Sequence, residues 1–525
     1  MSYSKRAVTY SFVVFLGLFT TSHLETPRLF KPAQSYSGGG AGGAFEVAAG
    51  DVNGDAKVDL VVANWCLSVD DCPTGGVGIL LGNGDGTFQN VQSFGSGGAE
   101  TVSVAVGDVN ADGKLDLLVA NQCLSNSDCT RGGVGVLLGN GDGTFQAAQS
   151  YNSGGEYASA IAVADVNGDG KPDLLVVNSC FSNTDCTKGG VGVLLGNGDG
   201  TFQAAQNDFS GGWYPVGIAV ADVNGDGKPD LVVANSFFIA NQSSGAVTVL
   251  LGNGDGTFQT AGAYDSGGAQ AGGVAVRDVN GDGKPDLLVA NLFGNPNKSA
   301  GALGVLLGNG DGTFQAAQSF STTGSSSFSV AAEDVNGDGK PDAIVSNYCG
   351  INDPGCNSPS VTVFLGSGDG SFTAYQTYKP GGLNTQSVAV ADVNGDGRPD
   401  LLVDNFSPIG NGDADIGVLL GNAHFATTTS LTSNPNPSIY GQAVTLIAKV
   451  SSVGPRIPTG GITFKLGSQP LGWARISGGV ATLKTTKLPR GRHMITATYG
   501  GDSASAKSVS AELIQVVKQA SGPVD

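Results

Sequence analysis

The stretch Asp165-Val-Asn167-Gly-Asp169-Gly-Lys171-Pro-Asp173 places side-chain oxygens at positions 1, 3, 5 and 9 of a nine-residue loop. The carbonyl of position 7 can join them, and a glycine at position 6 permits a sharp turn. Several carboxylates among hard oxygen donors form the set that calcium takes; magnesium asks for stricter octahedral geometry, and zinc or copper prefers nitrogen or sulfur. The spacing begins like an EF-hand, but position 12 is the apolar Val176 where that loop needs a glutamate. The loop is therefore expected to join two strands, not two helices.

Seven copies stand in register. Their ligand positions are Asp51, Asn53, Asp55 and Asp59; Asp108, Asn110, Asp112 and Asp116; Asp165, Asn167, Asp169 and Asp173; and Asp222, Asn224, Asp226 and Asp230. The last three copies use Asp278, Asn280, Asp282 and Asp286; Asp334, Asn336, Asp338 and Asp342; and Asp392, Asn394, Asp396 and Asp400. Up to seven calcium ions are expected, stabilising the fold and taking no part in catalysis. Ala56 replaces the position-6 glycine of the first copy, where a left-handed turn would be strained, so that site is expected to bind weakest.

The copies begin 57, 57, 57, 56, 56 and 58 residues apart. Between them run an apolar stretch after each loop (DLLVAN), a variable loop, an alternating stretch (VGVLLGN), a glycine turn and a half-polar stretch (TFQAAQSY). No helical periodicity occurs, and four strands per repeat of this length are the pattern of propeller blades. The fold is expected to be all-β: a seven-bladed β-propeller of four-stranded blades over 29–425, then a β-sandwich over 426–525. LFKPAQSY at Leu29–Tyr36 matches TFQAAQSY at Thr144–Tyr151, so the N-terminal strand is predicted to complete the seventh blade and close the ring. From Ala426 onward, runs such as AVTLIAKV and HMITATYGG alternate at period two without cysteine, which predicts the sandwich.

Two further repeated positions have a structural explanation. Asn64, Asn121, Asn178, Asn235, Asn291, Asn347 and Asn405 are expected to cap strand ends by Asx turns, against a ring of amides facing a ligand. Asp85, Asp142, Asp199, Asp255, Asp311 and Asp369 are expected to serve their hairpin turns, against a second metal role.

The net charge of −19 argues against nucleic acid as a partner, and three histidines leave little for zinc or His-based catalysis. Lys5 and Arg6 precede an apolar run from Ala7 to Phe19 and small residues through Ser22, the order of a secretory signal peptide over 1–22, with 23–28 as linker. No other segment is suited to span a membrane, so a secreted or surface location without a transmembrane segment is expected. Eight cysteines come as close pairs, Cys66/Cys72, Cys123/Cys129, Cys180/Cys186 and Cys349/Cys356. In an exported chain such pairs predict four small disulfide loops.

The D-x-N-x-D-G-x-x-D loop followed by an apolar strand resembles the FG-GAP repeats of integrin α-subunit propellers and the related VCBS repeats, over about Leu29 to Phe425. The resemblance implies a calcium-loaded propeller. The Gly-Ala-Pro piece of that family is absent here, replaced by the seven asparagines. The C-terminal stretch ATTTSLTSNPNPSIYGQAVTLIAKV is similar to bacterial Ig-like repeats of exported proteins, which implies a spacer or adhesion module.

Blade topology sets the acidic loops and glycine turns on one face and the variable loops on the other. Trp65, Tyr157, Trp213, Tyr214, Phe237, Phe238 and Tyr348 gather on that second face as candidate ligand-binding residues, though loop packing explains some equally well. The expected function is a binding or adhesion protein recognising a protein or glycan. The alternative is a propeller hydrolase or lyase using Glu46, Glu100 and Glu156, which fall in corresponding loops. No nucleophile motif supports it, and no catalytic residue is assigned.

Overall fold

The computed structural model describes residues 28–68, 74–181, 188–209, 212–237, 244–294, 300–350, 353, 356, 358–405, 413–422, 424–452, 457–502 and 505–519. The expected signal peptide lies outside them. The fold is all-β, with repeated four-stranded sheets in a propeller-like array followed by an Ig-like domain. Among the described residues no helix is long and apolar enough to cross a membrane.

One unit illustrates the rest. β1 (Gln34–Gly50), β2 (Asp59–Cys66), β3 (Gly76–Leu80) and β4 (Gln92–Gly95) pair antiparallel in chain order. The acidic loop joins β1 to β2. β2 reads DLVVANWC and is buried on both faces except at Trp65, because each sheet is covered by a neighbour on either side. A continuous apolar run is the signature of such a strand. Val61, Ala63, Val77 and Ile79 pack against Val104, Leu117, Val119 and Leu137 of the next sheet, so the core lies between units. Each fully buried Leu or Val there contributes roughly 1.5–3 kcal/mol. Gly78 admits no side chain, since a Cβ would lie 1.9 Å from the Gly38 carbonyl oxygen.

Five further four-stranded sheets repeat this order, from Ala99–Gly107 through Phe372–Tyr378. The strands Val388–Ala391, Asp400–Asn405 and Asp413–Leu419 then join β1 in one seven-stranded sheet. β1 serves two units at once. Gln34–Ser37 pairs with Val418–Asp415, the register breaks between Ser37 and Ala41, and Ala44–Gly50 pairs with β2. The seam is reinforced outside the strand: Lys31 N–H donates to the Leu420 carbonyl at 2.8 Å. Phe30 is fully buried and meets Tyr378 edge-on at 5.4 Å. Most outermost strands are shorter than the sequence pattern implies. Gln149–Asn152 is four residues long, with Phe145 held separately by a bridge to Gly139.

The C-terminal domain packs the sheet of Thr427–Asn434, Val444–Ser452 and Val480–Thr485 over a second sheet centred on Gly461–Leu466 and Gly491–Tyr499. Leu446, Ala448, Phe464, Ile495 and Tyr499 fill the space between them without a disulfide. Among the described residues the domain is fastened to the array beside Gly337. Ala426 N–H donates to the Gly337 carbonyl at 3.1 Å, Phe425 bridges to Ser505, and Ala506 N–H donates to the Phe425 carbonyl at 2.8 Å.

Candidate metal loops and binding face

In the Asp165 loop the side chains are turned onto the loop's own backbone. Asp165 Oδ1 accepts the N–H groups of Gly168 (2.7 Å) and Asp169 (3.2 Å), and its Oδ2 accepts that of Gly170 (2.8 Å). Asn167 Oδ1 also accepts the Asp169 N–H, at 2.8 Å. The oxygens of positions 1 and 3 therefore converge on a single N–H group. Asp169 Oδ1 accepts the Lys171 N–H at 3.0 Å, and the Lys171 ammonium stands 3.6 Å from Asp169 Oδ2.

Position 9 is different in kind. Asp173 is fully buried; its Oδ2 accepts the Val166 N–H at 3.0 Å and its Oδ1 the Gly196 N–H at 2.8 Å, tying the acidic loop to the third strand's end. Asp59, Asp116, Asp230, Asp286, Asp342 and Asp400 repeat both bonds. Among the described residues none of the seven joins an ion pair. Burial pushes these carboxyls up, and the carboxylates at positions 1 and 5 add repulsion; Asp342 and Asp400 are raised to about 7. In these two loops positions 3 and 9 meet, with Asn336 Nδ2 donating to Asp342 Oδ1 at 3.4 Å and Asn394 Nδ2 to Asp400 Oδ2 at 3.3 Å.

The donor set fits a hard cation: it is all oxygen, and a buried carboxylate without a counter-charge stands at its base. The carboxylates are not drawn into a cage. Among the described residues no group of three or more His, Cys, Asp or Glu side chains is placed to hold a metal ion. Ala56 has φ +63°, the left-handed conformation expected of it. Ala111 at position 4 of the second loop is left-handed too, at φ +59°. That position escaped the sequence reading, although comparing the seven copies exposes it as the one lacking glycine there.

The turn aspartates are hairpin residues in the structure: Asp142 Oδ1 accepts the Thr144 N–H (3.0 Å) and hydroxyl (2.6 Å), a pattern shared by Asp85, Asp199, Asp255, Asp311 and Asp369. The seven asparagines are buried, but they do more than cap their own strands. Asn121 Oδ1 accepts the hydroxyls of Ser96 and Thr101, both at 2.7 Å, and Asn178 Nδ2 donates to the Ser153 carbonyl at 3.1 Å. Asn64 and Asn291 donate likewise to the Gly38 and Ser266 carbonyls, so these four pin the connection between units to the middle of the sheet.

On the opposite face every unit has a left-handed residue at the same place in the inner strand or leading into it. These are Gly43, Glu100, Tyr157, Tyr214, Gln270, Ser326 and Asn384, with φ between +49° and +110°. Register breaks mark the same place, as between Thr101 and Ser103. Bulges re-aim side chains, and a left-handed non-glycine residue costs roughly 1–3 kcal/mol. Tyr157 and Tyr214 occupy this position in consecutive units and are 42% and 43% exposed. Sequence reasoning had the aromatics but not the bulge that presents them.

The other candidates are less uniform. Trp65 is half-buried and stacks on Phe45 at 5.0 Å; Tyr348 is half-buried against Phe328 at 5.7 Å. Trp213 is half-buried, its backbone paired with Phe237, and Phe238 lies outside the described residues. Phe45 and Phe328 line a central cavity of about 460 Å³, to which the inner strand of every unit contributes. Glu46, Glu100 and Glu156 do not share a position, contrary to the sequence reading. Glu46 lies within β1 on the cavity wall, Glu100 on the bulge with the Cys123 sulfur 3.8 Å from its Oε2, and Glu156 is buried at the start of its strand. The 57-residue step makes Glu46 equivalent to Ser103 and Ala160, and Glu100 to Tyr157. Disulfides join Cys123 to Cys129 and Cys349 to Cys356. Cys66 and Cys180 are also disulfide-bonded, while Cys72 and Cys186 lie outside the described residues.

The FG-GAP-like repeat family matches residues 66–119, 123–176, 180–233, 237–289, 278–345 and 351–403, and the bacterial Ig-like domain (group 3) family matches 431–518. The six matches are offset by half a unit from the sheets and take in the acidic loops from Asp108 to Asp400; the Asp51 loop precedes them. The chain is also 31% identical over 151 residues to human phosphatidylinositol-glycan-specific phospholipase D, covering 25% of this chain and 18% of that protein. The bovine protein of the same name is 30% identical over 151 residues with the same coverage, and the rat protein 29% over 155, or 26% and 18%. The chain spans less than a fifth of the length of these relatives.

Proposed function

Because the chain belongs to the FG-GAP repeat family and carries a bacterial Ig-like domain, we propose that it is a secreted or cell-surface adhesion protein built on a calcium-stabilised, seven-bladed ring. Seven units are supported by the seven acidic loops, by the shared strand β1 and by the seven inner strands around one cavity. Positions 1, 3, 5 and 9 of each loop would hold calcium with the position-7 carbonyl. When bound, the ion supplies the counter-charge that the buried aspartate lacks. No step of chemistry is assigned to it.

The binding role falls to the face opposite the loops, and one observation carries it. Six units keep a left-handed non-glycine residue at the same bulge, and in two neighbouring units that residue is an exposed tyrosine. Loop residues on a rigid scaffold are where recognition concentrates, and exposed tyrosine offers a flat apolar body with a polar tip. The partner is a protein or a glycan. The named relatives are phospholipases specific for a phosphatidylinositol-glycan, and their likeness to this chain is confined to a fraction of their length.

The test is an array of glycans and proteins probed with the full chain in calcium. Specific hits should weaken at least tenfold in the Tyr157→Ala/Tyr214→Ala double variant and disappear in chelator. Hits unchanged by the double variant would remove this face from recognition. Turnover of a polysaccharide that is lost in Glu156→Gln would establish the hydrolase instead.

A further inference from the structure

The inner strands form seven rungs around the central cavity, and one rung is chemically uneven. At its inner position stand Glu46, Ser103, Ala160, Gly217, Gly273, Ser329 and Ser387. On the second strands, Ala63, Ala120, Val177 and Ala234 pair with the first four, and Ala290, Ser346 and Asp404 hold the equivalent positions in the other units. Six small inner residues and one glutamate face the cavity; six small or apolar residues and one aspartate lie behind. The two acids fall in adjacent units, on either side of the seam that β1 makes.

Among the described residues neither carboxylate meets a cation. Glu46 Oε2 accepts the Val104 N–H at 3.0 Å. This contact between units is one that Ser103 also makes, its hydroxyl accepting the Ile161 N–H at 3.1 Å. Asp404 is fully buried; its Oδ1 accepts the N–H groups of Gln386 (3.1 Å) and Ser387, and its Oδ2 has no hydrogen-bond partner. Burial raises both carboxyls, and the charge of Glu46 raises Asp404 further. Among the described residues no Lys, Arg or His lines the cavity.

The remaining wall is hydrogen-bonding and aromatic. The side chains of Gln122, Ser236, Gln386 and Ser387 line the cavity without a protein hydrogen-bond partner among the described residues. Gln122 and Ser236 follow the asparagine at which pairing with the third strand ends, and so lie toward the face opposite the acidic loops. Phe45 and Phe328 also line the cavity, packed against Trp65 and Tyr348 respectively. The volume of about 460 Å³ lies within the range of small-molecule sites and exceeds what one hexose fills.

We propose that this cavity binds a sugar bearing a free primary amine, with Glu46 as counter-charge to the ammonium, Asp404 reinforcing the field from behind the wall, and the amides and hydroxyls holding the ring. The assignment rests on the binding role proposed above and names its ligand class. An ammonium is favoured by uncompensated carboxylate beside aromatic faces. A sugar is favoured over an aliphatic amine by the number of unpartnered polar groups around the wall. Acidic sugars are disfavoured by the same two carboxylates.

The experiment is calorimetric titration of the full chain, in calcium, with glucosamine, N-acetylglucosamine, glucose and Nα-acetyl-lysinamide. Glucosamine is expected to bind at least tenfold more tightly than the other three. Glu46→Gln keeps an acceptor for the Val104 N–H and should abolish that preference. Asp404→Ala installs the residue of four equivalent units and should weaken glucosamine several-fold with the fold intact by circular dichroism. Equal binding of glucose and glucosamine, a preference that survives Glu46→Gln, tighter binding of the lysine amide, or no binding at all would each overturn the proposal. Array hits that depend on Tyr157 and Tyr214 would still stand in that event, so this failure is distinct from failure of the adhesion role.

Discussion

Replacing Asp173 by alanine tests the logic of the acidic loop most directly. The side chain is fully buried and accepts two backbone N–H groups, from Val166 at 3.0 Å and Gly196 at 2.8 Å. Deleting it leaves two buried donors unpaired, each costing roughly 1–3 kcal/mol. Relief from burying a carboxylate, which raises its pKa, offsets part of this. A net loss of about 2–4 kcal/mol local to the third unit is expected in chelator. Asp173→Asn retains one acceptor and should cost about half as much. In an array of units the loss is best read locally, by amide hydrogen exchange, because a single unfolding midpoint averages over neighbours. Protection at Val166 and Gly196 should fall on the order of 30- to 1,000-fold in the alanine variant. Unchanged protection would mean that position 9 does not hold the loop to the third strand.

Calcium adds a second, separable expectation. At ten times its dissociation constant, one bound ion stabilises a site by about 1.4 kcal/mol. Wild-type amides of the third unit should gain that increment, and those of Asp173→Ala should not, while the fourth unit gains it in both proteins. Equal gains in the third unit of both would show that Asp173 is no ligand.

Three other outcomes are expected. In chelator the melting temperature should rise as pH falls from 8 to 5. Asp342 and Asp400 titrate near 7 when folded, through burial first and neighbouring carboxylates next, so in that window the folded state binds protons the unfolded state does not. A flat or opposite trend refutes it, and saturating calcium should flatten it by holding both groups ionised. Phe30→Ala, which empties a fully buried site at the seam, should cost about 3–5 kcal/mol and expose residues 28–40 to protease before any other part of the array. Gly337→Ala would bring a Cβ to 2.5 Å from the Phe425 ring at a φ of +74°, so it should loosen the C-terminal domain; faster cleavage near Ala426 with unchanged protection in either domain is the readout.

Much of the array was legible because its cause is local. A loop whose aspartates bind their own backbone, a glycine turn and an apolar run buried on both faces are each written within some 50 contiguous residues, and repetition separates them from chance. The seam was legible for the same reason, since Leu29–Tyr36 carries the text of an outer strand away from its unit. What the sequence did not give is the fusion of that strand to the next unit's inner strand, because a register break between Ser37 and Ala41 has no residue signature. The bulge was hidden likewise: Glu100, Tyr157 and Gln270 share a backbone conformation and no side-chain chemistry.

That contrast sorts structural positions from specific ones. A residue present in all seven sequence copies, such as the position-9 aspartate or the buried asparagine, meets a requirement that each copy has alone, so it carries no information about a ligand that meets the array once. Around a cavity, a single ligand distinguishes one unit from another only through residues that break the repeat. Glu46, Asp404, Tyr157 and Tyr214 break it, and each does so where the fold exacts a cost: a carboxylate among small residues, a carboxylate behind them, and two large side chains at a left-handed bulge. Stability alone would have placed serine or alanine at the first two, as other units do, and glycine at the last two, as the first unit does at Gly43. Selectivity in this chain is therefore expected to change at those four positions while the loops and asparagines set only whether the array stands.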